Sequence, residues 1–478
     1  MLWLCWSYAY LDASVLNILH ALSAQMWSVR QSALSALWPD CLNSALQLLV
    51  FWSPFGSCRL SSLALLRMVK ATDKNRRYIK ETDEDSTLMS RGMHVSSRRM
   101  HQFLLVCTCM VWICTGRLCA QDLAGIVVHG FVSQGFLFSS NNNYLSMKSS
   151  DGSPQWTDGA VNISDSLADN LRVGIQLHMY QLGEFGGSNI QVDWASGDYR
   201  VSDHFGIRAG KVKTVWGLFN DSQDIDAVFL WILLPQGSYS IDHKSFYLAH
   251  VGGDVYGDFP LGKRAGTFHY DAYAGQATID LNDGYIKTFA ELGLVFTNSL
   301  GGKTYGGDLQ WETPLKGLTI GSSGNMQRGD GIAPAGSFHS PAFLVPSNYA
   351  RFDKGKVYLA AEYDRIPINA IVTIGPAVIP FVADGRSWFV MGSYRLRNNV
   401  QVGSYYSQYV NKAADTTQPA NYSKDWVVCT RYDFNPYFYG KIEGHFLHGT
   451  ALGYYNSTNP NGLAPNSNML AAKIGFSF

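Results

Sequence analysis

The sequence predicts an all-β fold, a transmembrane antiparallel up-and-down barrel of about 16 strands. Three observations predict it. Runs of about ten residues alternate strictly between apolar and polar, the period of an extended chain. Short polar turns alternate with long loops. The last ten residues, MLAAKIGFSF, put Leu470, Ala472, Ile474, Phe476 and Phe478 on one face and Met469, Ala471, Lys473, Gly475 and Ser477 on the other. A barrel has to pair its last strand to close, and an aromatic residue at its end suits the membrane interface.

Whole-chain composition conceals two unlike pieces. Seven of the eight Cys precede residue 120 and only Cys429 follows, so the later piece has no intrachain disulfide framework. Gly behaves oppositely, with 43 of 46 after residue 120. The chain carries 37 basic and 37 acidic residues, but residues 121–478 hold 25 against 30, a net charge of −5. The absence of a basic excess argues against nucleic acid as a partner.

The join between the pieces resembles a secretory signal over 100–120. Arg98 and Arg99 precede Met100, the apolar run Phe103 to Cys114 follows, and Leu118-Cys119-Ala120 forms a cleavage site before Gln121. That run is too short to span a bilayer as a helix and right for a signal core. Residues 1–99 hold no organised motif. They read as a spurious or disordered extension, with the start at Met93 or Met100, or as a genuine extension whose stretch from Ser44 to Leu66 is apolar. Residues 121–478 are then the barrel, exported to the bacterial outer membrane.

The strands follow in order. After SDSLADN, Leu171, Val173, Ile175, Leu177 and Met179 share one face, opposite Arg172, Gly174, Gln176, His178 and Tyr180. Gly307, Leu309 and Trp311 oppose Asp308, Gln310 and Glu312, before the turn PLKG and a strand from Leu318 to Met326. Val357, Leu359, Ala361 and Tyr363 turn Lys356, Glu362 and Asp364 to the other side. Trp388 to Leu396, the turn Arg397-Asn398-Asn399 and Val400 to Tyr406 make a hairpin. Trp426, Val428, Thr430, Tyr432 and Phe434 oppose Val427, Cys429, Arg431 and Asp433. After Asn435-Pro436, Phe438 to Phe446 oppose Tyr439, Lys441, Glu443, His445 and Leu447. Long loops are expected at SSNNNYLSMKSSDGSPQ, from Gln327 to Asn348, and at VNKAADTTQPANYSK. The apolar stretch Ile366 to Ala383 reads either as a strand pair broken by Pro376 and Pro380 or as a segment against the wall. Fourteen or eighteen strands fit the length nearly as well as sixteen.

One face of these strands is apolar with aromatics near its ends, and the other is charged. A water-filled lumen tolerates inward charges of both signs, whereas an outward Lys or Arg costs roughly 2–4 kcal/mol at the bilayer midplane. The expected lumen residues are Arg172, His178, Asp308, Glu312, Lys356, Glu362, Arg431, Asp433, Lys441, Glu443, His445 and Lys473. Many of them could pair across the lumen. A soluble sandwich alternates too, but the signal segment, strand length and aromatic ending favour the barrel.

The alternation starting at Phe205 breaks at Lys211 to Lys213, and TVWGLFNDSQDIDAVFLWILLPQGSYSID follows without a strand pattern. Long unpatterned segments in compact folds are usually functional. It is expected to fold inward as a constriction, with Asp221, Asp224 and Asp226 facing Arg208, Lys213 or bases on the strands. The other expectation is a subunit interface using Trp231, Ile232 and Leu233.

The segments VHGFVSQGFLFSSNNNYL, LADNLRVGIQLHMYQLG, VDWASGDYR and ILLPQGSY, and above all R-x-G-K-x-K-x-x-x-G-L-x-N-x-x-x-D from Arg208 to Asp224, carry a resemblance. They resemble a Gram-negative outer-membrane porin-like family distantly similar to the phosphate-selective and dicarboxylate-selective porins. Many such porins have Pro where this chain has Val215 or Trp216. The resemblance implies a diffusion channel and a homotrimer in outer-membrane lipid and says little about the solute; a broad pore for small hydrophilic solutes with no cofactor is expected, and the closing strand resembles that of outer-membrane barrels, in which a terminal aromatic such as Phe478 is part of the signal read by the barrel assembly machinery. The rival readings are an adhesive or structural barrel and a barrel-type enzyme. Gly-x-Ser-x-Gly and His-Glu-x-x-His are both absent from the sequence, and the acids at 221–226 lack the spacing of a calcium loop. A plugged receptor would need about 22 strands.

Overall fold

The computed structural model describes residues 125–478; the expected signal segment and N-terminal extension lie outside the described residues. Sixteen strands close into one barrel in which every strand pairs antiparallel with its sequence neighbours and the first with the last. They are β1 (Ile126–Ser139), β2 (Ser153–Ala168), β3 (Leu171–Leu182), β4 (Ile190–Ser202), β5 (Phe205–Lys213), β6 (Ala249–Pro260), β7 (Thr267–Ile279) and β8 (Leu300–Glu312). The second half is β9 (Leu318–Ala333), β10 (Gly336–Lys354), β11 (Val357–Ile374), β12 (Ala377–Arg397), β13 (Val400–Asn411), β14 (Tyr422–Asp433), β15 (Phe438–His448) and β16 (Asn466–Ser477). Two short helices, α1 (Ser245–Leu248) and α2 (Gly284–Glu291), sit in connections.

The alternation maps onto the wall as the residues dictate. On β15, Tyr439, Lys441, Glu443, His445 and Leu447 are buried while Phe438, Ile442 and Phe446 are exposed. On β16, Met469, Ala471 and Lys473 are buried while Leu470 and Ile474 are exposed. The outer surface is therefore greasy. Exposed aromatics gather toward both rims: Tyr199, Phe259, Tyr432 and Phe438 near the short turns, and Tyr305, Trp388, Trp426 and Phe446 toward the other end. Aliphatics such as Val390, Val428, Ile442 and Ile474 lie between them. Phe438 and Phe446 are eight residues apart, so about 27 Å along a strand. A barrel tilt of about 40° makes that roughly 20 Å of height, a band that hydrocarbon can cover.

At the seam, β1 and β16 pair from Phe131↔Ser477 to Ser139↔Met469. Phe478 extends the ladder through reciprocal backbone bonds with Gly130 at 3.0 and 3.1 Å.

Three expectations change, and of the two readings of Ile366 to Ala383 the strand pair holds. The stretch Gln327 to Asn348 is no long loop, because β9 and β10 run through it with only Pro334 and Ala335 between them. Ile366 to Ala383 is the end of a long hairpin turning at Gly375-Pro376. Pro380 is tolerated because β12 pairs with β13 only from Gly385 onward, which leaves its first residues as an edge. β5 outlasts its visible alternation and stays paired through Lys213↔Ala249. The pleat slips at Gly210, whose φ of +131° suits glycine, and a Cβ there would lie 2.3 Å from the Ala195 carbonyl oxygen. Lys356 lies in the exposed turn between β10 and β11 rather than on a strand.

Candidate functional site: the segment inside the barrel

The segment from Thr214 to Lys244 leaves the wall after β5 and crosses to the opposite side. It hydrogen-bonds to eight consecutive strands, β9 through β16. Gly217 N donates to Ser323 Oγ at 2.9 Å, Trp216 Nε1 to the Val345 carbonyl at 3.1 Å and Leu218 N to Glu362 at 3.0 Å. Ser238 meets Ser387 at 3.1 Å, and the Tyr405 hydroxyl donates to the Leu233 carbonyl at 3.0 Å. Cys429 Sγ lies 3.2 Å from the Leu230 carbonyl. Ile232 N and Leu233 N both donate to Glu443, at 2.9 and 2.8 Å, and Lys473 reaches Asp226 at 2.9 Å. The wall residues are the buried members of their strands, so the segment lies inside.

Its apolar side chains explain why it stays there. Trp216, Phe219, Leu230, Trp231 and Leu234 pack against Val345, Ala360, Phe389, Met391, Tyr405 and Val427. Ile232 and Leu233 join a second cluster with Leu137, Trp156, Leu447 and Met469. Fully burying one such side chain is worth roughly 1.5–3 kcal/mol. Trp231, Ile232 and Leu233 therefore face the inner wall, which overturns their expected role as subunit contacts.

The charges divide into separate groups. Asp226 is the densest node. Its carboxylate accepts from Lys441 at 3.1 Å, Lys473 at 2.9 Å and Tyr439 at 2.6 Å, and Lys441 also donates to the Asp226 and Trp231 carbonyls. Burial alone would raise this carboxyl, but Lys441 and Lys473 hold it well below the usual carboxylate range. Asp224 pairs with Lys213 at 2.5 Å and accepts from Gln176 at 2.6 Å. Burial and the neighbouring Asp193 push its carboxyl up against the pull of Lys213.

Other expected residues take other positions. Arg208 meets none of the segment's acids. It pairs with Asp271, lies 3.8 Å from Asp254 and stacks over Tyr256, because β6 and β7 bring those groups beside it. Asp221 is exposed and has no basic partner among the described residues; only Ser222 donates to it. Arg431 donates to the Ala227 and Phe229 carbonyls and to Asp433. Glu362 accepts from Tyr239 and Ser347, while Asp308 accepts from Tyr349. His178 lies between Asp158 at 2.6 Å and Asp193 at 3.6 Å, and His445 between Asp425 at 2.8 Å and Glu443 at 3.0 Å. Arg172 donates to Ser164. Glu312 is at the rim, 3.5 Å from His269.

Cavities flank the segment. One of about 320 Å³ opens toward the short turns beside Arg351, Asp353 and Lys356. Another of about 280 Å³ lies toward the long loops. A third, of about 40 Å³, is lined by Asp158, Asp226, Lys244 and Lys473 among others.

No protein-family model and no curated protein matches the chain. Solved structures similar to it include an anion-selective porin from Comamonas acidovorans, at 12% identity and TM-score 0.48, covering 74% of this chain and 99% of that one. Outer-membrane expressed OmpT of Vibrio cholerae is 12% identical with TM-score 0.46 over 75% of this chain and 99% of that one. The outer membrane channel DcaP of Acinetobacter baumannii is 10% identical with TM-score 0.42 over 75% and 99%. These are likenesses of barrel architecture, and what this chain does must come from its own side chains.

Several participants escaped the sequence reading. Tyr239, Tyr405 and Tyr439 tie segment to wall, and Asp158, Asp193 and Gln176 complete the charged groups. Asp158 and Asp193 sit on strands where a β-bulge or Gly interrupts the alternation. Tyr439 and Gln176 did fall on the named inward faces, but neither side chain gives a charge signal.

Proposed function

We propose that the chain is an outer-membrane porin through which small hydrophilic solutes or ions diffuse passively along a water-filled lumen that the Thr214–Lys244 segment narrows. The observation that carries this is the segment's attachment to eight strands of the far wall through inward side chains, under an outer surface fit for lipid. A fixed segment sets a pore radius, and the charges beside it that are left without a partner bias which solutes pass. Asp226 with Lys441 and Lys473, and Asp224 with Lys213, are the proposed clamps that fix the constriction, and exposed Asp221 is its proposed free charge. Arg208 belongs to the wall below them. The wall charges paired with the segment hold it, and those left over line the path. The reading includes a homotrimer, export through a cleaved signal and no enzymatic activity.

The test is planar-bilayer recording of purified protein. Discrete conductance steps are expected, with a salt-gradient reversal potential that moves on Lys213→Met, which leaves the Asp224 charge unpaired. Steps absent from correctly folded, heat-modifiable material would refute the channel and favour an adhesive or structural barrel. Cross-linking in detergent tests the trimer.

A further inference from the structure

A cavity of about 510 Å³ lies on the long-loop side, between the ends of β3, β5 and β7 and the start of β4. That volume falls within the ~300–1,000 Å³ of pockets that hold small ligands. Asp193, Lys211, Lys244 and Asp280 all line it, so charges of both signs share one chamber. Between them the lining is largely polar, with Gln191 and Asn282 part of it.

These charges differ in what already holds them. Asp193 belongs to the group around the inner segment: Gln176 donates to it at 2.8 Å, and His178 and Lys213 lie 3.6 and 3.9 Å away. Lys244 is 7% exposed, and its ammonium stands over the face of Tyr180, 4.3 Å away, which lines this same cavity. The buried Lys213, Lys441 and Lys473 each have an acid, but among the described residues none lies within ion-pairing distance of Lys244. Lys211 donates to the Val192 carbonyl at 2.6 Å and likewise has no acid in range. Asp280 accepts from Gln191 and Asn282, both neutral, and no base among the described residues pairs with it. A charge withdrawn from water is costly unless a counter-charge or hydrogen bonds compensate it. Two ammoniums and one carboxylate therefore border one chamber without ionic partners. The backbone holds them near one another, since Asp280 N donates to Ser245 Oγ at 3.1 Å and Ser245 follows Lys244.

We propose that this chamber is a binding site for small zwitterions of the free α-amino acid class, with the ligand carboxylate on the Lys244 and Lys211 ammoniums and the ligand ammonium on Asp280. A simple anion would satisfy the lysines but add a negative charge beside Asp280 and Asp193. A simple cation would satisfy Asp280 but meet two ammoniums. Only a ligand carrying both charges compensates both sides, and the mismatched charges reject the others. Asp193 belongs both to this lining and to the group around Lys213 and Asp224, which puts the site at the entry to the narrowed lumen. The site rests on the channel reading only in calling the ligand a passing solute; binding itself does not require conduction.

Titration of folded, heat-modifiable protein in non-ionic detergent, followed by saturation-transfer NMR, tests this with three probes. They are L-glutamine, glutaramate, which lacks the ammonium, and the α-amide of L-glutamine, which lacks the carboxylate. L-Glutamine should bind saturably, and the other two at least tenfold more weakly. Lys244→Gln should weaken L-glutamine at least tenfold and leave the α-amide within twofold. Asp280→Asn should weaken L-glutamine at least tenfold and leave glutaramate no weaker. Its amide oxygen can still accept from Asn282, so this variant serves if the Lys244 variant fails to fold. Absence of saturable L-glutamine binding, glutaramate or the α-amide binding as tightly as L-glutamine, or an unchanged L-glutamine affinity in either folded variant would overturn the proposal. A protein that conducts but does not bind L-glutamine loses this site alone. One that binds L-glutamine but does not conduct loses the channel reading alone.

Discussion

Replacing Asp226 by Asn tests whether the inner segment is held by charge. The side chain keeps its shape, and an amide oxygen can still accept from Tyr439 or one lysine. What disappears is the negative charge between Lys441 and Lys473, which are 1% and 5% exposed. Removing one partner of a buried ion pair costs about 3–5 kcal/mol, because the remaining charge stays desolvated. The barrel ladder is untouched, so the loss falls on segment docking, a local equilibrium. At about 1.4 kcal/mol per factor of ten, the docked-to-undocked ratio drops by roughly two to three and a half powers of ten. Wild-type single-channel records should show steady levels, and Asp226→Asn should flicker to higher conductance. Limited proteolysis should cut the variant between Thr214 and Lys244 while the rest of the barrel stays resistant. Asp221→Asn, at a residue with no basic partner, should leave both readouts near wild type. If Asp226→Asn matches wild type in conductance, noise and protease resistance, the electrostatic account of docking is wrong.

Acid should mimic that variant. The folded Asp226 carboxyl lies below its unfolded value of about 3.9, so its contribution is complete well above pH 4 and fades as pH falls through and below that value; records at pH 3 should be noisier than at pH 6. Gly217 has φ +61°, and a Cβ there would sit 2.4 Å from both Glu362 Oε1 and the Tyr239 hydroxyl. Gly217→Ala should therefore raise conductance and protease sensitivity, beyond the ~1–2 kcal/mol of left-handed strain alone, whereas Gly262→Ala, with φ +88° and open space around it, should show only that smaller loss in thermal unfolding. Phe478→Ala keeps the backbone bonds to Gly130 but removes the ring packed near Phe476. Assembled protein in the outer membrane should fall sharply while refolding in detergent stays near wild type; equal losses in both would mean that the residue acts only as packing.

The wall was legible wherever lipid dictates one face. On β3, β8 and β14 to β16 the greasy outer residues fix the register, and the inward Lys441, Glu443, His445 and Lys473 follow by parity. Legibility fails where that dictation stops. The β9–β10 hairpin is written in Gly, Ser and Pro around Gly329, Gly331 and Pro334, which leave no side-chain contrast to read. The far end of β11–β12 is apolar on both faces, since Ala370 and Val372 pack on the cluster around α2 while Ile371 and Val378 remain exposed. α2 itself was missed, although Asp283 caps it by accepting from Tyr285 N and Ile286 and Phe289 share its buried side. The inner segment was recognised by its lack of pattern. Its partners were not, because which base meets which acid depends on where a thirty-residue excursion lands. Asp226 reached strand-borne lysines, as one of the stated options had it, while Arg208 found acids on its own neighbouring strands.

The bond between Lys473 and Asp226 joins residues 247 apart in sequence. Lys473 rides on the strand that seals the cylinder, and Asp226 belongs to a stretch made long before it. The last strand carries Lys473 to the lumen and the earlier stretch, a crossbeam, carries its counter-charge, so that lysine is neutralised only when both have arrived. Contacts this distant are slow to find. A chain whose crossbeam is late would seal its seam through the backbone ladder with Lys473 still uncompensated in the wall, so the crossbeam completes the finished wall electrically as well as sterically.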